Sequence, residues 1–175
     1  MKFYSLYPEE NEGQGVAYAP EGVTFRALYC KGHIERWRPI DFVLRDGVFT
    51  DYQWNNLGWH MCSEKLEQVL AECAGPNDVI QWLPVTIRNA DGERRNYSVL
   101  HIPIASDVLS TTQTIMSGDI VVKPVLDRSK IHGHSIFTFS NDGVKVYIDE
   151  PTRKQILAAA VTGLDFLRVS VGGGG

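Results

Sequence analysis

No apolar run in the 175-residue chain approaches the ~20 residues needed to span a bilayer. The opening Met1-Lys2-Phe3-Tyr4-Ser5-Leu6-Tyr7-Pro8-Glu9-Glu10 has a single lysine and turns acidic too soon to provide a signal-peptide core, so a cytoplasmic protein is expected. Cysteine is scarce. Cys30, Cys62 and Cys73 are odd in number, and their spacing matches neither a disulfide framework nor a zinc motif; they read as reduced, buried thiols. Basic charge is also short, with 17 Lys and Arg against 21 Asp and Glu and a net charge of −4. That excludes the broad positive field with which proteins bind nucleic acid or anionic membranes. There is no Gly-x-Ser-x-Gly and no glycine-rich loop ending in Lys-Ser or Lys-Thr, so the serine-hydrolase and phosphate-loop signatures are missing. No cofactor is expected.

What is present is ordinary globular material, 43% hydrophobic and 22% charged, long enough for one domain with its own core. The domain is expected over 1–171, with a soft lobe boundary near Gly75-Pro76 and a flexible glycine tail at 172–175. Ser63 to Ala74 predicts a helix. Ser63 stands as N-cap, Glu64 at the positive end, and Leu66, Val69, Leu70 and Cys73 form one apolar face; Gly75 is available for a left-handed cap. Glu150 to Thr162 predicts a second helix that stops at Gly163. Strands are expected at Phe3–Tyr7, Val23–Tyr29, Val79–Arg88 (interrupted or edged at Pro84), Asn96–Ile104, Ile120–Leu126 and Leu164–Val171. Asn89-Ala90-Asp91-Gly92-Glu93 and Asn141-Asp142-Gly143 read as hairpin turns. Trp37 to Trp59 reads as irregular structure with aromatic anchors, and Glu9 to Gly15 as a mobile acidic loop. The fold class is α+β: a mainly antiparallel, curved sheet built from hairpins, with two helices packed on it.

Few residues offer chemistry. His132-Gly133-His134 is a two-ligand pattern, and zinc needs a third ligand; Asp127 and Asp142 are near in sequence, but nothing in the sequence fixes them in space. His60-Met61-Cys62 precedes a helix start that would favour a thiolate, but Trp59, Met61 and Cys62 read better as apolar packing beside the N-cap. Asp149-Glu150 suits a helix start, and Arg94-Arg95 reads as solvated.

Several segments together resemble one family. They are Phe3-Tyr4-Ser5-Leu6-Tyr7-Pro8, Trp37-Arg38-Pro39-Ile40-Asp41-Phe42, Ser63-Glu64-Lys65-Leu66, Gln81-Trp82-Leu83-Pro84-Val85 and Gly163-Leu164-Asp165-Phe166. The family is the myxobacterial-type immunity proteins of bacterial polymorphic toxin systems. The resemblance implies a protein that neutralises a cognate secreted toxin by binding it, with no catalysis of its own. A net-negative chain suits a basic toxin such as a nuclease. No nucleic-acid or membrane partner is expected, and monomer and dimer both remain open. The candidate toxin-binding residues are Tyr52, Trp54, Asn55 and Trp59 in the tryptophan-rich segment and Glu9, Glu10 and Glu12 in the acidic loop. The alternatives are a small metal-dependent hydrolase using His132 and His134, and a small-ligand binding module using the tryptophan-rich segment.

Overall fold

The computed structural model describes residues 1–11, 13–28, 32–139 and 145–173. In chain order the strands are β1 (Phe3–Pro8), β2 (Val16–Tyr18), β3 (Ile40–Arg45), β4 (Tyr52–Gln53), β5 (Met61–Ser63), β6 (Gln81–Arg88), β7 (Arg94–His101), β8 (Ile115–Ser117), β9 (Ile120–Lys123), β10 (Val125–Asp127), β11 (Ile136–Phe137), β12 (Tyr147–Asp149) and β13 (Leu164–Gly172). The helices are α1 (Glu64–Cys73) and α2 (Glu150–Ala158).

Six strands form a sheet in the order β2-β3-β6-β7-β5-β4. Its two edges meet: the Ala17 amide donates to the Trp54 carbonyl at 2.8 Å, and the Asn56 amide to the Ala17 carbonyl at 3.0 Å. The sheet therefore closes into a small barrel, which removes the exposed edges that an open sheet presents to other chains. Alternation along the strands fills the interior with Phe42, Leu44, Met61, Leu83, Val85, Ile87, Tyr97 and Val99. A second sheet runs β10-β13-β1-β12-β11 and is covered on both faces. Phe3, Tyr147 and Val169 pack one way with Val108, Leu126, Ile131 and Phe137. Tyr4, Leu6 and Ile148 pack the other way, into a middle core shared with Leu66 and Leu70 of α1, Ile156 of α2 and the outward side of the barrel. The result is α+β with curved, mostly antiparallel sheets and two helices. Among the described residues no helix is long and apolar enough to cross a membrane.

Both helices begin where their caps dictate. The Ser63 hydroxyl accepts from the Leu66 amide, and the Asp149 carboxylate from the Thr152 amide, satisfying first-turn donors that have no partner within the helix. Several expectations need correction. Gly75 is not a left-handed cap: α1 ends at Cys73, Ala74 caps it in extended backbone, and Gly75 is required because a Cβ there would sit 2.5 Å from the Gly133 carbonyl. Phe25–Leu28 is a 3-10 turn rather than a strand, because the Val23 and Ala27 amides bond back locally to Pro20 and Thr24. The 37–59 stretch is not irregular throughout. It holds β3, whose partner β6 runs parallel to it, Ile40 opposite Val85. A second parallel pair, β10 with β13, departs from a sheet built from hairpins alone. Pro84 does not interrupt β6, since pairing with β3 begins only at Val85 and the Pro84 carbonyl accepts from the Trp37 indole at 2.8 Å. Pro124 does break the Ile120–Leu126 run, into β9 and β10. Gly172 belongs to β13, opposite Asp127, so the tail begins one residue later than expected. The Ile136/Ile148 hairpin pairs as expected, but its Asn141-Asp142-Gly143 turn lies outside the described residues, as does Cys30.

Candidate partner-binding surface

The barrel seam brings the tryptophan-rich segment and the acidic loop together. Gln53, fully buried, donates from Nε2 to the Gly15 carbonyl at 2.6 Å. Val48 donates to the Gly13 carbonyl at 3.0 Å, and Glu9 to the Gly163 carbonyl at 3.0 Å. Gly15 is packed so closely that a Cβ there would collide with the Asp46 carbonyl. The loop expected to be mobile is thus stapled to the turn after β3 and to the end of β4. Its side chains bond among themselves as well, the Glu9 carboxylate accepting from Asn11 and Gln14.

Trp54 emerges from this frame. Its carbonyl accepts from Ala17 across the seam, while its side chain is 44% exposed. Val48, 64% exposed, and the exposed acids Glu10 and Asp46 lie on the segments stapled beside it. Arg45 lies over the Tyr18 ring at 4.6 Å on the adjoining strands. A large aromatic on a fixed backbone loses little conformational freedom when a partner covers it, the property that makes such residues interface anchors.

The other candidates are placed differently. Asn55 is buried and works as a turn staple, donating to the Trp59 carbonyl at 2.6 Å and accepting from the Leu57 and Trp59 amides. Trp59 is buried in the barrel, edge-on to Phe42 with ring centroids 5.9 Å apart. Tyr52 is buried in the middle core with its hydroxyl 2.6 Å from His60 Nδ1, and burial pushes that hydroxyl's pKa up. Glu9 is partly exposed and Glu10 exposed; Glu12 lies outside the described residues. The surface that remains is therefore Trp54 with Glu9 and Glu10.

The chemical candidates are also resolved by geometry. Cys62 lies in β5, fully buried; desolvation, with the Glu67 charge adding to it, pushes its thiol up, opposite to what a nucleophile needs. Arg95 is not simply solvated: it pairs with Glu93 at 2.8 Å and lies over the Phe49 ring at 4.4 Å. His132 is exposed, whereas His134 Nδ1 lies 3.0 Å from Asp78 Oδ1. Among the described residues no group of three or more His, Cys, Asp or Glu side chains is placed to hold a metal ion.

One surface escaped the sequence reading. β8 and β9 form a two-stranded ribbon hydrogen-bonded to neither main sheet, with Ile115, Met116, Ile120 and Val122 exposed. The Ser117-Gly118-Asp119 step between two apolar runs was the available signal. Compared with known proteins, the chain matches no family model and no curated protein.

Proposed function

We propose that this chain is an immunity-type protein, which neutralises a cognate bacterial toxin by binding it and performs no chemistry of its own. The observation that carries the reading is Trp54: an exposed aromatic on a backbone locked at the barrel seam, beside a stapled acidic loop. In this reading Trp54 is the anchor, and Glu9, Glu10 and Glu12 steer a basic toxin to it. The segments that resemble the immunity family support the same reading.

The test is co-expression of the chain with the toxin encoded beside its gene. Trp54→Ala should lose growth protection and release the toxin faster, with an unchanged circular-dichroism spectrum. Reversing Glu9, Glu10 and Glu12 to lysine should mainly slow association, and more so at low salt. A folded Trp54→Ala that protects as well as the parent chain would remove the anchor. If Ile120→Asp on the ribbon abolished protection instead, the interface would move to β8–β9.

A further inference from the structure

Away from the barrel seam, the far end of the second sheet encloses a cavity of about 310 Å³. This is at the lower end of the ~300–1,000 Å³ typical of small-molecule pockets. Its walls come from distant parts of the chain: Met1, Pro76, the 128–135 loop, Asp149 at the start of α2, and Val171 near the end of β13. Met1, Pro76, Ile131 and Val171 make much of it apolar.

These walls are clamped by a buried carboxylate. Asp78, whose side chain has no solvent exposure, accepts at Oδ2 from the amides of Gly75, Ser135 and Ile136 at 2.7, 2.9 and 2.7 Å. Its Oδ1 takes His134 Nδ1 at 3.0 Å. Asn77 adds two bonds to the same loop, from its amide to the Gly133 carbonyl and from Nδ2 to the His132 carbonyl. The two sides of the cavity are therefore fixed relative to each other before anything enters, which lowers the ordering cost of binding. Asp78 thereby also fixes the His134 ring in the cavity wall.

Immediately beside this cavity is a cleft lined by Lys2, Arg128 and Arg168, and Met1, Arg128 and Val171 are common to both. Among the described residues none of these three cations has a carboxylate partner within ion-pair distance. Asp149 also reaches the cavity wall, but both its oxygens are occupied, one by the Thr152 amide and one by the Ser135 hydroxyl. An apolar chamber opening beside a set of unpaired cations suits a ligand with an apolar body and an anionic head.

We propose that this cavity and cleft form a binding site for a small amphipathic anion, its apolar body against Pro76, Ile131 and Val171 and its charged head on Arg128, where the two spaces meet. The site is independent of the toxin-binding reading and uses none of its residues.

Calorimetric titration of the full chain with sodium octanoate tests this, with 1-octanol as the neutral comparison and inorganic phosphate as a head alone. Octanoate should bind saturably with a Kd below about 1 mM, and octanol about tenfold more weakly, as loss of a charge-assisted contact requires. Arg128→Gln should weaken octanoate by about tenfold and leave octanol unchanged. Val171→Phe, which fills the chamber, should weaken both, and Trp54→Ala should change neither. Absence of saturable octanoate binding, equal binding of octanol, phosphate binding as tight as octanoate, or an unaffected Arg128→Gln would each overturn the proposal. So would octanoate-induced NMR shifts at the Trp54 indole with none at the Val171 methyls.

Discussion

Trp54 and Trp59 stand five residues apart on one short segment and meet opposite environments. Trp59 is 5% exposed and packs between Phe42 and Trp37, with ring centroids at 5.9 and 5.8 Å. The Asn55 side chain bends the intervening chain by bonding to the Trp59 amide and carbonyl, turning the later tryptophan inward and leaving the earlier one outside. The energetic consequences should separate cleanly. Trp59→Ala removes a large buried ring and should cost about 3–5 kcal/mol. Trp54→Ala removes surface contacts only and should change stability by less than about 1 kcal/mol. Urea denaturation of the two variants measures both numbers, and comparable losses would mean that Trp54 is a core residue. Asn55→Ala should behave like the buried residue, because it leaves the Leu57 and Trp59 amides without their acceptor.

At the scale of elements, the molecule is joined by Asp51. It takes the Ser63 hydroxyl at the head of α1 at 2.8 Å, Lys65 at 2.7 Å, and both the amide and hydroxyl of Thr162 beyond α2 at 3.0 Å. One carboxylate thus pins the start of β4 to both helices. Burial alone would raise its pKa, but the bonds from Lys65, Thr162 and Ser63 outweigh burial and hold it below the usual aspartate range. The folded state therefore binds fewer protons at Asp51 than the unfolded state does. This contribution is complete above the unfolded pKa of about 3.9 and is lost as pH falls through the lower folded value. Asp51→Asn should cost about 1–3 kcal/mol at neutral pH. It should also flatten the loss of stability below about pH 4, measured as melting temperature against pH. An unchanged acid profile would show that the carboxylate charge contributes nothing.

The elements legible in the sequence were those whose causes are local. Ser63 with the Leu66/Val69/Leu70/Cys73 stripe gave α1, and Asn89 to Glu93 gave the β6–β7 turn. Asp149 and Pro151 marked the start of the second helix, but not its end: α2 stops at Ala158 rather than running to Gly163, because Ala160 turns into the left-handed region and the Ala160 and Val161 amides close the last turn on Leu157 and Ile156. What stayed illegible depends on partners far along the chain. β3 is a strand because β6 lies parallel to it more than forty residues later, and the acidic loop is held by Gln53 across the seam. In the candidate surface, Trp54 was legible from its polar neighbours Gln53, Asn55 and Asn56. Those same amides misled for Asn55, because its side chain satisfies backbone rather than water. The Asp78 clamp was invisible, since three of its four donors are backbone amides that carry no sequence signal.

For the whole molecule, the decisive feature is that the barrel and the middle core share strands. β7 lends Tyr97 and Val99 to the barrel interior and Leu100 to the middle core; β5 lends Met61 to one and Cys62 to the other. A core cannot dissolve while its neighbour keeps the strand in place, because the same backbone ladder carries both sets of side chains. Gly75-Pro76, where composition hints at a lobe boundary, is held against the distant Gly133 loop, because Asp78 three residues on accepts from the Gly75 amide and from the Ser135 and Ile136 amides at the same oxygen. Unfolding should therefore be a single cooperative transition. Tryptophan fluorescence is weighted toward the barrel through Trp37 and Trp59, with Trp82 reporting the middle core, whereas far-ultraviolet circular dichroism averages over all strands and both helices. The two signals should change at the same urea midpoint, and Met61→Ala in the barrel should shift both midpoints together. Separate midpoints, or a Met61→Ala shift confined to fluorescence, would mean that the barrel unfolds alone and that the shared strands do not couple the cores.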